Sequence, residues 1–200
     1  MNLQIFAKAP IYGQVKTRLI PKIGAASATN LHKQFVRLNL QKFSRLFNVQ
    51  LWCAPDESHP FFQTCQQQFA ISLHRQQGIG LGERMANALN SDQPTVLIGS
   101  DCPILSPKII SDAFAALETD YSVVLSPAED GGYVLIGMRQ LIPEIFTNIP
   151  WGTSEVFSIT KQRLNALGIK WHQLPTLWDV DRPEDLERWY QLKLSNEYLV

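Results

Sequence analysis

The stretch TVLIGSDCPILSP, residues 95–107, decides the fold. Thr95, Val96, Leu97 and Ile98 suit a buried strand, and Gly99 and Ser100 then lead straight into Asp101. An apolar core cannot hold that carboxylate alone, so the strand ends at a surface or something pairs with the charge. Pro103 biases Cys102 toward extended backbone, delaying the next helix until Ser106, its N-cap, with Pro107 at the first helical position. Asp101 is thereby held on a short ledge at a strand's carboxyl end. Because Ser106 supplies the cap, helix capping is a weaker explanation of Asp101.

Working outward, apolar runs of strand length recur at 3–6, 49–54, 71–74, 95–99 and 121–126. Helical spacing fills 27–47, through Leu31, Phe35, Leu38, Phe43 and Leu46, and also 83–90 and 107–117. Alternation of this kind predicts an α/β fold: an open, mostly parallel twisted sheet with helices on both faces, because parallel neighbours need crossover connections. After residue 126 the rhythm changes. A glycine turn, a strand at YVLIG (133–137), a strand at WHQLPTLW (171–178) and helices at 154–167 and 183–194 predict a mixed or antiparallel C-terminal extension. Residues 1–200 are expected to form a single domain, with the terminal SNEYLV loosely held. In open α/β sheets ligands sit outside the carboxyl ends of the strands, which is where Asp101 falls.

Composition narrows the function. With 18 basic and 18 acidic residues the formal net charge is zero, so the chain lacks the broad cationic surface of a nucleic-acid binder or an anionic-membrane binder. A polyanionic ligand would have to be small and locally held. Three cysteines without C-x-x-C spacing argue against a disulfide framework or a zinc knuckle and for a reducing cytoplasm. The opening MNLQIFAKAP shows no basic leader followed by a long apolar run, and no segment is long enough to span a bilayer; an unexported, cytoplasmic protein is expected. Nothing in the sequence speaks to oligomeric state.

Four segments carry candidate chemistry. FAKAPIYGQVKTRL places Lys8, Lys16 and Arg18 after the first strand. It is not a Walker A loop, since Val15 precedes Lys16; three cations at a cleft edge suit a nucleotide diphosphate, although solvated surface charge is the usual fate of Lys and Arg. QQGIGLGERM offers Gly78, Gly80 and Gly82, yet Glu83 stands where a dinucleotide fingerprint needs its third glycine. The loop with Gly82, Glu83 and Arg84 is read either as a close backbone approach to a nucleotide or as a plain turn. SPAEDGGYVLIG sets Glu129 and Asp130 before Gly131 and Gly132: a hairpin turn that also presents a carboxylate to a sugar hydroxyl or an acceptor. In LWDVDRPEDL, Asp181 and Glu184 fit a capping box for a helix starting near Arg182. The D-x-D of haloacid-dehalogenase phosphatases does not fit, because it belongs after the first strand.

Taken in order, FAKAPIYGQVKTRL, GLGERM, GSDCP, AEDGGYVLIG, PWGTSEVF and DVDRPEDL cover nearly the whole chain. Together they resemble a bacterial family of small GT-A-type nucleotide-diphospho-sugar transferases, labelled arsenosugar-biosynthesis or selenodomain-associated glycosyltransferases. More distantly they resemble sugar and cofactor nucleotidyltransferases. Tyr12, Gly80, Ile104 and Arg182 depart from the family's usual Pro, Asp, Gly and Thr. The resemblance implies a metal ligand at Asp101 and a second at Asp181, with Asp179 as the substitute, holding magnesium or manganese. Two carboxylates about 4 Å apart repel by roughly 4 kcal/mol at an effective dielectric near 20, which a divalent cation relieves. The expected activity is a metal-dependent glycosyltransferase using a nucleoside diphosphate sugar and a small acceptor. Lys8, Lys16 and Arg18 would hold phosphates, and Asp130 would be the acceptor base. The alternatives are a nucleotidyltransferase acting on a nucleoside triphosphate and a phosphorylated acceptor, and a non-catalytic nucleotide-binding module.

Overall fold

The computed structural model describes residues 1–195, so all of SNEYLV except Ser195 lies outside the described residues. Strands β1 (Asn2–Lys8), β2 (Asn48–Ala54), β3 (Ser72–Arg75), β4 (Thr95–Gly99), β5 (Val123–Pro127), β6 (Tyr133–Met138) and β7 (Trp171–Gln173) form one sheet. Their order is β3-β2-β1-β4-β6-β5-β7. The β1–β2, β2–β3, β1–β4 and β5–β7 pairs are parallel, while β6 runs antiparallel to both β4 and β5. The predicted α/β class and its mixed C-terminal part are therefore present.

Helices α1 (Ile20–Phe43), α2 (Pro60–Phe69), α3 (Leu81–Leu89), α4 (Pro107–Glu118), α5 (Val156–Ala166) and α6 (Asp185–Ser195) cover the sheet. β4 explains why its sequence is a continuous apolar run. Val96 and Ile98 face a cluster with Phe43, Phe62, Ile110 and Phe114, while Leu97 faces the opposite cluster with Met85, Leu89 and Leu164. A central strand buried on both faces has no polar side to alternate with. A third cluster joins Leu19, Phe35 and Leu38 to Trp178, Val180, Leu186 and Trp189, fastening the C-terminal segment to α1.

Three sequence expectations need correction. Helix α1 begins at Ile20 rather than 27, interrupted at Gly24 by a φ of 78°; Ile20 and Ile23 pack on the third cluster and extend it. Helix α2 was not expected, because its glutamines mask an apolar face of Phe61, Phe62 and Cys65, capped by the His59 side chain accepting from Phe61 N–H. The strand expected over 171–178 pairs only through Trp171–Gln173. Pro175 has no N–H to donate, its carbonyl accepts from Ser126 Oγ at 2.6 Å, and the chain returns for a single bridge between Leu177 and Ala128. Among the described residues no helix is long and apolar enough to cross a membrane.

Candidate functional site

The carboxyl ends of β1 and β4 open into a cleft of about 390 Å³, lined among others by Lys8, Lys16, Arg18, His32, Asp101 and Asp181. Ser106 caps α4 through Ile109 N–H as expected, so the ledge carrying Asp101 precedes the helix. Helix α1 holds that ledge from below: Asn39 Nδ2 donates to the Ser100 carbonyl at 2.9 Å, and Lys42 Nζ to the carbonyls of Pro103 and Leu105 at 2.8 and 2.9 Å. Burial pulls the Lys42 pKa down to about 8. From the other side, Val180 N–H donates to the Asp101 carbonyl at 3.0 Å, which docks the 179–181 segment beside it.

Asp101 is a fixed anion. Its Oδ2 meets Lys16 Nζ at 2.8 Å and its Oδ1 accepts from Ser100 Oγ at 3.0 Å. Burial presses the carboxyl upward most strongly, but Lys16, His32 and the Ser100 hydroxyl together outweigh it, and the pKa lies below the ordinary carboxylate range. Lys16, expected to hold phosphate, is bonded here within the protein. Its side chain is only 3% exposed, and its ammonium, which has three donors, is committed to Asp101 and to the Val180 carbonyl. Arg18 is open to solvent and pairs with Asp181 Oδ2. Lys8 is exposed at the end of β1.

His32, not anticipated from the sequence, is buried on α1 with Nε2 at 2.8 Å from the Lys8 carbonyl. A carbonyl only accepts, so Nε2 carries the proton. Burial lowers the imidazole pKa below 6.5 despite the opposing charge of Asp101. A base with a depressed folded pKa binds fewer protons folded than unfolded, so its contribution is complete above pH 6.5 and declines as pH falls through that value. His32→Gln keeps a donor for Lys8 and removes the titration. Its melting temperature should fall less between pH 7 and pH 5 than the wild type's; parallel profiles would contradict a neutral, buried His32.

A second cavity of about 150 Å³ adjoins the first, with Asp101 in both and Asp130, Asp179, Gly132 and Tyr133 in its wall. Burial, then the charges of Asp130 and Asp101, push the Asp179 carboxyl up to about 6. The expected hairpin turn exists: Asp130 Oδ1 accepts from Gly132 N–H at 2.9 Å. Glu129 lines neither cavity. It pairs through both oxygens with Arg188 at 2.8 and 3.1 Å, and that guanidinium lies 4.4 Å over the Trp178 ring, so Glu129 ties the turn to α6.

The GLGERM segment opens helix α3. Gly82 is buried where a Cβ would come within 2.8 Å of both the Phe146 carbonyl and Trp151 Nε1, so the close approach it permits is to protein. Glu83 accepts from Ile79 N–H at the start of α3, and Arg84, bonded to the Gly78 carbonyl, lines a neighbouring cavity with Arg75. The capping box at Asp181 and Glu184 is replaced as well. Helix α6 starts at Asp185, whose Oδ2 accepts from the N–H groups of Asp181 and Arg182 at 3.0 and 2.7 Å. The Asp181 side chain takes no part in that cap; it lines the cleft, paired with Arg18.

The cleft offers a divalent cation hard oxygen donors. Among the described residues no group of three or more His, Cys, Asp or Glu is assembled for a metal. Asp101 and Asp181 nevertheless share one cleft, with side chains 38% and 34% exposed. Two hard carboxylates completed by ligand phosphates match how magnesium is usually bound. Asp179 shares the second cavity with Asp101.

Solved structures share this architecture. A provisionally named nucleotide-diphospho-sugar transferase from Desulfovibrio desulfuricans G20 superposes with a TM-score of 0.87 at 31% identity, over 96% of this chain and 87% of that one. CMP:2-keto-3-deoxy-manno-octonic acid synthetase, complexed with CTP, matches with a TM-score of 0.61 at 12% identity, over 97% and 98%. Glucosyl-3-phosphoglycerate synthase from Mycobacterium tuberculosis, solved with UDP and Mn²⁺ or Mg²⁺, reaches 0.55 and 0.53 respectively at 12%, over 98% and 79%. The last two share the fold alone. No curated protein matches the sequence. Residues 39–153 match the family described as "Uncharacterized protein conserved in bacteria (DUF2064)", more than half of the chain, and the protein belongs to that family.

Proposed function

We propose that the protein is a metal-dependent glycosyltransferase that takes a nucleoside diphosphate sugar in the larger cleft and a small hydroxyl acceptor in the smaller one. The observation that carries this is the shared cleft at the carboxyl edge of the sheet, where Asp101 and Asp181 meet Lys8, Lys16 and Arg18. A magnesium or manganese ion held by Asp101 and Asp181 would supply charge stabilisation for the departing diphosphate. Lys8 and Arg18 are exposed at the rim and suited to phosphate oxygens. Asp130 is the candidate acceptor base, Gly131 and Gly132 shape the turn that presents it, and Glu129 braces that turn.

The nucleotidyltransferase alternative requires a phosphorylated acceptor. The residues lining the second cavity include three aspartates and no lysine or arginine, a wall that repels a phosphate and supports sugar transfer to an uncharged acceptor.

The test is a thermal-shift screen of nucleoside diphosphates, their sugars and nucleoside triphosphates, each with and without magnesium or manganese. A ligand at about 100 times its Kd stabilises the folded state by about 2.7 kcal/mol, a shift of roughly 5–10 °C for a chain of this size. Sugar-nucleotide stabilisation that requires the cation is expected. Stabilisation by triphosphates alone, with pyrophosphate release, would favour the alternative; no stabilisation by any nucleotide would refute both.

A further inference from the structure

Each carboxylate assigned to the cation is already matched by a cation of the protein's own, and both come from one turn. Lys16 stands on Asp101, and Arg18, two residues on in the 3-10 turn Thr17–Leu19, stands on Asp181. The Lys16 ammonium is enclosed: Asp101 Oδ2 lies at 2.8 Å, the Val180 carbonyl accepts a second hydrogen bond, and the Phe35 ring centroid is 5.6 Å away. Phe35 is fixed in turn by an edge-on contact with Trp189 at 4.9 Å. The backbone at Lys16 is left-handed, with a φ of 50°, a conformation that non-glycine residues adopt only when their surroundings hold them there.

We propose that Lys16 and Arg18 form an internal counter-cation pair which a divalent ion and a diphosphate displace together. The ion takes the carboxylates, and the released ammonium and guanidinium turn to phosphate oxygens. This rests on the metal-dependent reading above and adds a rule for loading the site. An ion arriving alone must compete with Lys16 for Asp101. A diphosphate arriving alone meets cations already neutralised by aspartates. Arriving together, they exchange partners, and no charge is left unpaired in a partly buried cleft. Such coupling is reciprocal: the diphosphate strengthens ion binding by the same factor as the ion strengthens diphosphate binding.

The test is Mn²⁺ binding, read from the electron paramagnetic resonance signal of the free ion. It is measured without nucleotide and then with UDP, CDP, GDP and ADP in turn, corrected for Mn²⁺ bound by the nucleotide itself. In the wild type one diphosphate should tighten Mn²⁺ binding by about tenfold or more, within the usual range of coupled sites. Lys16→Met removes the ammonium and keeps the apolar stem. Its nucleotide-free Mn²⁺ affinity should rise about tenfold, and the coupling should shrink by the same factor. A lysine that merely held Asp101 in place for the ion would give the opposite sign, so unchanged or weaker Mn²⁺ binding by folded Lys16→Met overturns the proposal while leaving metal dependence intact. If circular dichroism shows that Lys16→Met does not fold, Arg18→Gln carries the test from the exposed side. There a rise of about threefold is expected, as for an exposed ion pair, and a flat or lower affinity overturns the proposal. A wild type that binds no Mn²⁺ with any diphosphate defeats the metal-dependent reading itself, and this inference with it.

Discussion

Asp101→Asn should reduce metal-dependent transfer by at least about 10²–10³-fold, the usual cost of deleting one preorganised electrostatic group, while leaving the fold intact. The substitution is isosteric and keeps an acceptor for Ser100, but it removes the negative charge facing both cavities. Lys16 then keeps the Val180 carbonyl and loses its carboxylate. Since Lys16 is only 3% exposed and keeps its charge, the stability loss should approach the cost of breaking a buried pair, about 3 kcal/mol, eased by the 38% exposure of Asp101. Calorimetric titration of Mn²⁺ in the presence of the preferred nucleotide separates these effects. Metal affinity should collapse in Asp101→Asn and Asp181→Asn and persist in Asp179→Asn, whose side chain faces the second cavity. Retained affinity in Asp101→Asn would remove this residue from the metal site, and collapse in Asp179→Asn would exchange the roles of Asp179 and Asp181.

The parts of this molecule that follow short-range rules were legible in its sequence. A strand run ending at Gly99, a proline that postpones the helix and a Ser-Pro cap locate the Asp101 ledge without tertiary information, and the structure keeps all three. The cations at 8, 16 and 18 were equally visible, but their partners were not. Lys16 meets Val180 across 164 residues, and no local pattern distinguishes a lysine that will be buried on an aspartate from one left in solvent. The same holds for Gly82, whose small size serves Trp151 rather than a ligand. His32 and Asn39 carried a fainter signal. They lie seven residues apart on the buried, mostly apolar face of α1, where polar side chains are retained only if something satisfies them.

Gly131→Ala is the second large effect, and its size depends on packing as much as on backbone. Gly131 adopts a φ of +90°, and a Cβ there would fall 2.2 Å from the Ser154 carbonyl oxygen. That oxygen is backbone, so no side-chain rotation relieves the contact. Phe157 N–H also donates to the Gly131 carbonyl at 2.9 Å, binding the turn and the 150–157 segment together. Strain at positive φ costs about 1–2 kcal/mol, and forced displacement of packed backbone adds about 1–3 kcal/mol. A drop in melting temperature of roughly 5–15 °C follows for a chain of this size. Gly152→Ala is the internal control: its φ is +84°, but its Cβ would meet nothing within 4 Å, so only the strain remains. Equal losses in the two variants would mean that the Ser154 contact does not hold the turn. A larger loss at Gly131, with nucleotide affinity little changed, would place its role in the Asp130 turn, because neither Gly131 nor Ser154 lines the larger cleft.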